Sequence, residues 1–177
     1  MHFDAATLKR LQQQDNKTVK EWYCFTFASL MRQAAKYYPH TNDQLTVVHN
    51  AQLKALKHIE KFAPGTSMEA WLAVILRNEL IDSYRRKQRW AFRPFTALEE
   101  PVFEENFDLQ IDHELENQKV TQLLDLLTDK TRFVFSLFAF EELKPREIAK
   151  LLSMNVQTVH WHLKTAKVTL KKHLDHE

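Results

Sequence analysis

Glycine is almost missing from this chain. Average usage near 7% would supply roughly 12 to a protein of this length, and its 177 residues contain one, Gly65. A lone glycine cannot build a phosphate-cradling Walker A loop, a dinucleotide-binding G-x-G-x-x-G turn or the G-x-S-x-G elbow of hydrolases. It also withholds the residue that most tight β-turns need. The common nucleotide-binding and hydrolase folds are not expected, and an all-α chain is. Cysteine is equally scarce: Cys24 stands alone, which leaves no disulfide framework and no cysteine-based zinc cluster and fits a reducing, cytoplasmic setting. Apolar runs are short. Residues 71–76 make six and residues 133–140 make eight with Ser136 included, against the ~20 that a membrane span requires. The first ten residues show no basic-then-apolar secretion pattern.

What is present is charge, unevenly placed. Residues 94–118 carry eight acids (Glu99, Glu100, Glu104, Glu105, Asp108, Asp112, Glu114 and Glu116) and no Lys or Arg. The remainder holds 25 basic against 15 acidic residues, a net of +10 hidden beneath an overall +2. Two basic bodies joined by an acidic strap suit a polyanionic partner, although acidic linkers are also simply well solvated. Prolines punctuate the same map: Pro39 closes a helical stretch, Pro64 sits in a short break, Pro94 and Pro101 lie in the strap, and Pro145 opens a later helix.

In the first body, apolar residues recur at helical steps. Leu8 and Leu11 begin the pattern, and Val19, Tyr23, Phe27, Leu30, Met31, Ala34 and Tyr38 form a stripe. Leu45, Val48, Leu53, Leu56 and Ile59 predict a second long helix. After the break Phe62-Ala63-Pro64-Gly65-Thr66-Ser67, a third is predicted over 68–90 with Ser67 as its N-cap. Its end carries Arg77, Arg85, Arg86, Lys87, Arg89 and Arg93 beside Tyr84, Trp90 and Phe92. Cations hold phosphates and aromatic faces stack on unpaired bases, so this end points to nucleic acid beyond what complementing a helix dipole needs.

The second body begins near Leu115, with Leu123, Leu126 and Leu127, then Thr128 or Asp129 as a cap before Phe133, Val134, Leu137 and Phe138. Residues 144–152 predict a short helix with Pro145 at or near its first position. A four-residue turn, Ser153-Met154-Asn155-Val156, follows, and Asn155 is a good N-cap for the last helix. Val156, Val159, Leu163, Ala166 and Leu170 give that helix one inward face. Gln157, Thr158, His160, Trp161, Lys164, Thr165, Lys167, Lys171 and Lys172 point outward. Helix, tight turn, helix is a helix-turn-helix signature, and the outward groups suit phosphates and base edges in a major groove.

Taken together, these segments resemble the sigma-70 family of bacterial RNA polymerase sigma factors, in its small extracytoplasmic-function (ECF) form. Leu8-Lys9-Arg10-Leu11, Asp15 and Val19-Lys20-Glu21-Trp22-Tyr23 look like the family's opening helix. Trp71-Leu72, Ile75, Arg77-Asn78, Ile81-Asp82 and Arg85-Arg86 look like its promoter-melting helix. Glu147-Ile148-Ala149, Leu152, Val156, Thr158-Val159, Leu163, Ala166 and Leu170 are similar to its closing helix-turn-helix. The resemblance implies two small helical domains, a region 2 bundle over 1–93 and a region 4 helix-turn-helix over 119–177, joined by the acidic linker 94–118. It implies core RNA polymerase as partner, through its β′ clamp helices and β flap, with promoter DNA and an anti-sigma factor as the others. Reading and melting the −10 element would fall to Asn78, Asp82, Arg85, Arg86 and Lys87, while Phe62, Gly65 and Ser67 belong to a loop that holds a flipped base. The −35 element would be read by Gln157, Thr158, His160, Trp161, Lys164, Thr165 and Lys167. Core binding would use Thr46, His49, Asn50 and Leu53, where the family usually carries acidic and glutamine residues. Ser153 stands where glycine is usual, and Trp161 where a small residue is common.

Other readings exist. Thr158-Val159-x-x-His162-Leu163 is also similar to LuxR-type regulators, which bind DNA on their own, but that accounts for the second body alone. Among nine histidines, His160 and His162 are two apart and cannot face together on a helix, and His173 with His176 lies at the terminus. No metal and no cofactor is expected. Glu104-Glu105 are neighbours in the strap rather than a positioned acid and base, so no enzyme is expected either. Trp22 and Phe25 mark core, an adaptor's interface or an anti-sigma docking face.

Overall fold

The structure is a computed structural model and describes residues 4–90 and 117–174. Among these the order is α1 (Ala5–Gln12), α2 (Asn16–Ala35), α3 (Thr41–Lys57), a 3-10 turn (Ile59–Lys61), α4 (Met68–Trp90), α5 (Asn117–Leu124), α6 (Asp129–Glu141), α7 (Pro145–Leu152) and α8 (Val156–Leu174). The described residues contain helices and no strand, as one glycine implies. The acidic strap and Phe92 lie outside the described residues, apart from the backbone of Asn117 and Gln118 at the start of α5. The chain divides into two compact units: Met1–Ala35 with His40–Ser83, and Lys36–Pro39 with Tyr84–Glu177.

In the first unit, local chemistry sets the helix starts. Asp15 accepts from the Thr18 N–H at 2.9 Å and from its hydroxyl at 2.6 Å, capping α2, and the Thr18 bonds hold its carboxyl below the usual carboxylate range. Ser67 Oγ accepts from the Ala70 N–H at 3.2 Å and starts α4 where its position predicts. Gly65 has φ +84°, a left-handed backbone that a side chain would strain, and no heavy atom stands near its missing Cβ.

The face of α2 differs from the expected stripe. Thr18, Trp22, Thr26, Leu30 and Ala34 are buried, one position away from Val19, Tyr23 and Phe27, and Tyr23 is exposed. The reason lies on α3, against which α2 packs. Gln52 is buried there, and its amide donates to Thr26 Oγ1 at 2.8 Å and to the Tyr23 carbonyl at 3.2 Å. Two threonines thus enter the core with their hydroxyls satisfied, and Trp22 is 1% exposed. On α3 the buried set is Gln44, Val47, Val48, Ala51, Gln52 and Ala55. Leu53, read as part of the apolar stripe, is 58% exposed.

In the second unit, Pro145 occupies the first turn of α7, where its missing N–H is not needed, and the Glu147 carboxylate accepts from the Lys144 N–H at 2.7 Å. Ser153 ends α7 in the left-handed region (φ 54°, ψ 43°), and the Met154 N–H closes on the Ala149 carbonyl at 2.9 Å. Asn155 Oδ1 accepts from the Gln157 N–H at 3.0 Å. Since Val156 already opens α8, the turn comprises residues 153–155, one fewer than expected. Helices α6, α7 and α8 pack on one another. Their core includes Phe133, Val134, Leu137, Ile148, Ala149, Leu152, Val159, Leu163 and Ala166. Arg132 is fully buried and ion-paired with Asp125.

Candidate nucleic-acid interface

Helix α4 is long because residues 68–90 contain neither glycine nor proline, and it carries two kinds of surface. Its apolar residues Leu72, Leu76, Leu80 and Ile81 go inward. Asn78 is exposed and lines a cavity of about 290 Å³ with Lys54, His58, Lys61, Trp71 and Ile75. That volume lies just below the about 300–1,000 Å³ typical of small-molecule sites and leaves ample room for one planar base. The lining joins an indole, an amide that both donates and accepts, two ammonium groups and an imidazole.

Of the residues expected at the −10 element, Asn78 lines this cavity, and none of Phe62, Gly65 and Ser67, the loop residues expected to hold a flipped base, does. Gly65 and Ser67 are exposed on the loop before α4. Phe62 is 4% exposed and packs edge-on against Trp71 with ring centroids 5.5 Å apart, so its ring supports the loop from inside instead of facing a ligand. Apolar burial between two helix ends outweighs any advantage of leaving that ring in water. Lys54, His58, Lys61 and Trp71 were not singled out as site residues. Their signal was nonetheless there, since Lys54, His58 and Lys61 follow i, i+4, i+7 spacing.

Asp82 is half-buried with a carboxylate oxygen 3.8 Å from Lys54 Nζ, facing α3. In the second unit Arg85 Nε donates to the Leu151 carbonyl at 2.7 Å, which occupies one of its five donors, and Lys87 Nζ lies 4.8 Å from the centre of the Tyr38 ring. Arg86 and Lys87 are exposed. Trp90 ends α4, and its side chain lies outside the described residues.

The expected core-binding residues share one face of α3. Thr46, His49 and Leu53 are exposed and Asn50 is half-buried, at i, i+3, i+4 and i+7. His49 Nε2 lies 2.9 Å from the Tyr23 hydroxyl, and the His49 ring stacks at 6.0 Å on Phe27. The Val19-Tyr23-Phe27 side of α2 therefore flanks this face instead of filling the core. Trp22 is core, while Phe25 is exposed.

On α8 the buried residues are Val159, His162, Leu163 and Ala166. Opposite them, Gln157, Lys164 and Lys167 are exposed, Thr158, His160 and Thr165 are partly so, and Trp161 is 53% exposed. All seven expected −35 residues thus lie off the buried face. His162, by contrast, is buried with Nδ1 2.9 Å from the Thr131 hydroxyl of α6. Burial pushes its pKa down to about 4, with the Lys130 charge contributing, so the imidazole is neutral near pH 7. The pair ties the outward-facing helix to its support.

Two models of a single family match this chain: Sigma-70 region 2 over residues 28–90 and Sigma-70, region 4 over residues 117–170. The chain belongs to the sigma-70 family. It is a sigma factor, of a family that directs RNA polymerase to promoters and is not a family of enzymes. Its relatives include the RNA polymerase sigma factor YlaC of Bacillus subtilis (strain 168), 25% identical over 138 residues, which are 76% of this chain and 79% of YlaC. The ECF RNA polymerase sigma factor EcfG of Rhodopseudomonas palustris (strain TIE-1) is 42% identical over 43 residues, 24% of each chain. Among solved structures, this sigma factor is similar to CnrH in complex with the cytosolic domain of CnrY, at TM-score 0.46 and 20% identity over 97% of both chains. It is also similar to RpoE in complex with the anti-sigma factor NepR from Bartonella quintana, at TM-score 0.46 and 19% identity over 88% of this chain and 96% of that one. The region 2 match covers α4, which a LuxR-type reading leaves without a purpose. Among the described residues, no helix is long and apolar enough to cross a membrane.

Proposed function

We propose that this sigma factor reads two promoter elements with two separate helical faces. Residues 1–93 bind the β′ clamp helices through Thr46, His49, Asn50 and Leu53 and hold the −10 element as a single strand. Residues 119–177 read the −35 element through Gln157, Thr158, His160, Trp161, Lys164, Thr165 and Lys167 and engage the β flap. Residues 94–118 are the acidic strap between them. An anti-sigma protein completes the partners that the family implies. The protein works in the cytoplasm and performs no catalysis of its own.

The observation that carries the −10 reading is Asn78 on the wall of a cation- and tryptophan-lined cavity large enough for a base. Extruding a base costs a few kcal/mol of unstacking. Stacking on an aromatic ring returns about 1–3 kcal/mol per base, and a phosphate contact adds to it. Arg86 and Lys87, a little over two turns further along α4, contact the phosphates of the same strand. On α8, Lys164 and Lys167 are the phosphate contacts, and the exposed Trp161 ring packs on a thymine methyl or a sugar.

In vitro transcription from a genomic library, with core polymerase and this protein, tests the reading. The expected result is a set of start sites absent with core enzyme alone. Lys164→Ala should weaken them in proportion to the −35 element, and Asn78→Ala should reduce open complexes at all of them. Failure to co-elute with core polymerase, or unaltered start sites, overturns it.

A further inference from the structure

Lys54 is held in an unusual way. Its Nζ lies 2.5 Å from Oε2 of Glu79 and 3.8 Å from Oδ2 of Asp82, while its side chain lines the cavity beside Asn78. Glu79 is 1% exposed, and its Oε1 accepts from Asn50 Nδ2 at 3.1 Å. A carboxylate withdrawn from water must be matched by opposite charge and hydrogen bonds, and here both come from α3. Two carboxylates facing one ammonium leave Lys54 itself no surplus positive charge, so it is poorly suited to a phosphate. It remains a donor, however: an ammonium carries three N–H groups, more than the Glu79 ion pair can occupy.

We infer that Glu79 is a positioning residue that converts Lys54 from a phosphate clamp into a base reader. With its charge compensated and its stem held against α4, Lys54 presents an N–H to the cavity next to the Asn78 amide. The pair selects an unpaired base that turns a carbonyl oxygen or ring nitrogen toward them. The phosphate contact then falls to Lys61, which shares the cavity. Through Asn50, the same buried carboxylate also fixes one residue of the α3 face assigned to core polymerase. This inference rests on the cavity being the −10 base site.

The experiment uses holoenzyme reconstituted with core RNA polymerase and short single-stranded DNA of randomised sequence. Selection and sequencing identify the preferred strand, and affinities for it and its single-base replacements are measured across a salt series. Glu79→Gln keeps an oxygen for Asn50 but releases Lys54. Preference at one position should fall about tenfold, the loss expected for a hydrogen bond from a charged donor. The salt dependence should steepen by roughly 0.7 in log K per log salt, one added phosphate contact on a single strand. The double variant Glu79→Gln with Lys54→Met removes charge and partner together, so it leaves no unpaired buried ion. It should show the same lost preference with the salt slope back at the wild-type value, and it decides the matter if the single variant does not fold. A double variant with intact preference and a shallower slope would show Lys54 to be a phosphate clamp and overturn the inference. Unchanged preference and slope in both variants overturn it too. If Asn78→Ala and Lys61→Ala are equally silent, the base-site reading falls as well; if those two weaken binding, only the role of Glu79 is refuted.

Discussion

Lowering the pH should loosen the helix-turn-helix through one residue. His162 joins α8 to α6 by its 2.9 Å contact with Thr131, and burial holds its pKa near 4 against an ordinary 6.5. A folded pKa below the unfolded one means that the unfolded chain binds the extra proton first. Stability from the neutral imidazole is therefore complete above about pH 6.5 and declines as the pH falls toward 4. At pH 5 an unfolded imidazole is almost fully protonated and the folded one almost not, which favours unfolding by about 2 kcal/mol. The limit, reached below pH 4, is about 3 kcal/mol, a large share of a small domain's stability. The assay is urea unfolding followed by helical circular dichroism between pH 7 and pH 4, for the wild type and His162→Gln. Glutamine can still meet the Thr131 hydroxyl but does not titrate. The variant should lose about 2 kcal/mol of the wild-type difference between pH 7 and pH 5, and an NMR titration of the wild-type imidazole should give a midpoint near 4. Parallel pH profiles for the two proteins, or a midpoint near 6.5, would refute the reasoning.

Other expectations come from the same packing. Ser153→Gly should stabilise the protein by about 0.5 kcal/mol, because relief of a left-handed serine exceeds the entropy that glycine loses on folding; a lower melting temperature would contradict this. Trp22→Ala should cost about 3–5 kcal/mol in chemical denaturation, whereas Phe25→Ala, at an exposed position, should stay within about 0.5 kcal/mol. Leu53→Asp should leave the melting temperature nearly unchanged but reduce co-elution with core polymerase at least tenfold; equal binding would remove α3 from that interface.

Much of the architecture was legible before any coordinates. Ser67 caps α4, Pro145 opens α7, Asn155 caps α8, and the inward Val159, Leu163 and Ala166 of α8 follow from spacing, although Val156 and Leu170 are only half-buried and His162 joins the buried set; each correct reading is a local effect spanning four or five residues. The inward face of α2 was not legible. Val19-Tyr23-Phe27 looks more apolar than Thr18-Trp22-Thr26, and a threonine reads as surface until Gln52, twenty-six residues from Thr26, is seen to donate its amide N–H to that hydroxyl in the core. The burial of Phe62 was not legible for a related reason, as its partner Trp71 lies across the loop.

Composition and periodicity alone established an all-helical chain, two basic bodies around an acidic strap, and helices whose ends and outward faces suit DNA. These are properties of near neighbours and of summed charge. Only the folded arrangement settled which polar groups go inside and what they hold. Glu79 is an acid on a basic helix, yet it is buried and meets Lys54 and Asn50. His162 stands among outward-facing neighbours in the sequence, yet it is buried and links two helices. Burying a polar group is favourable only when a distant partner meets it, and spacing along the chain does not reveal that partner.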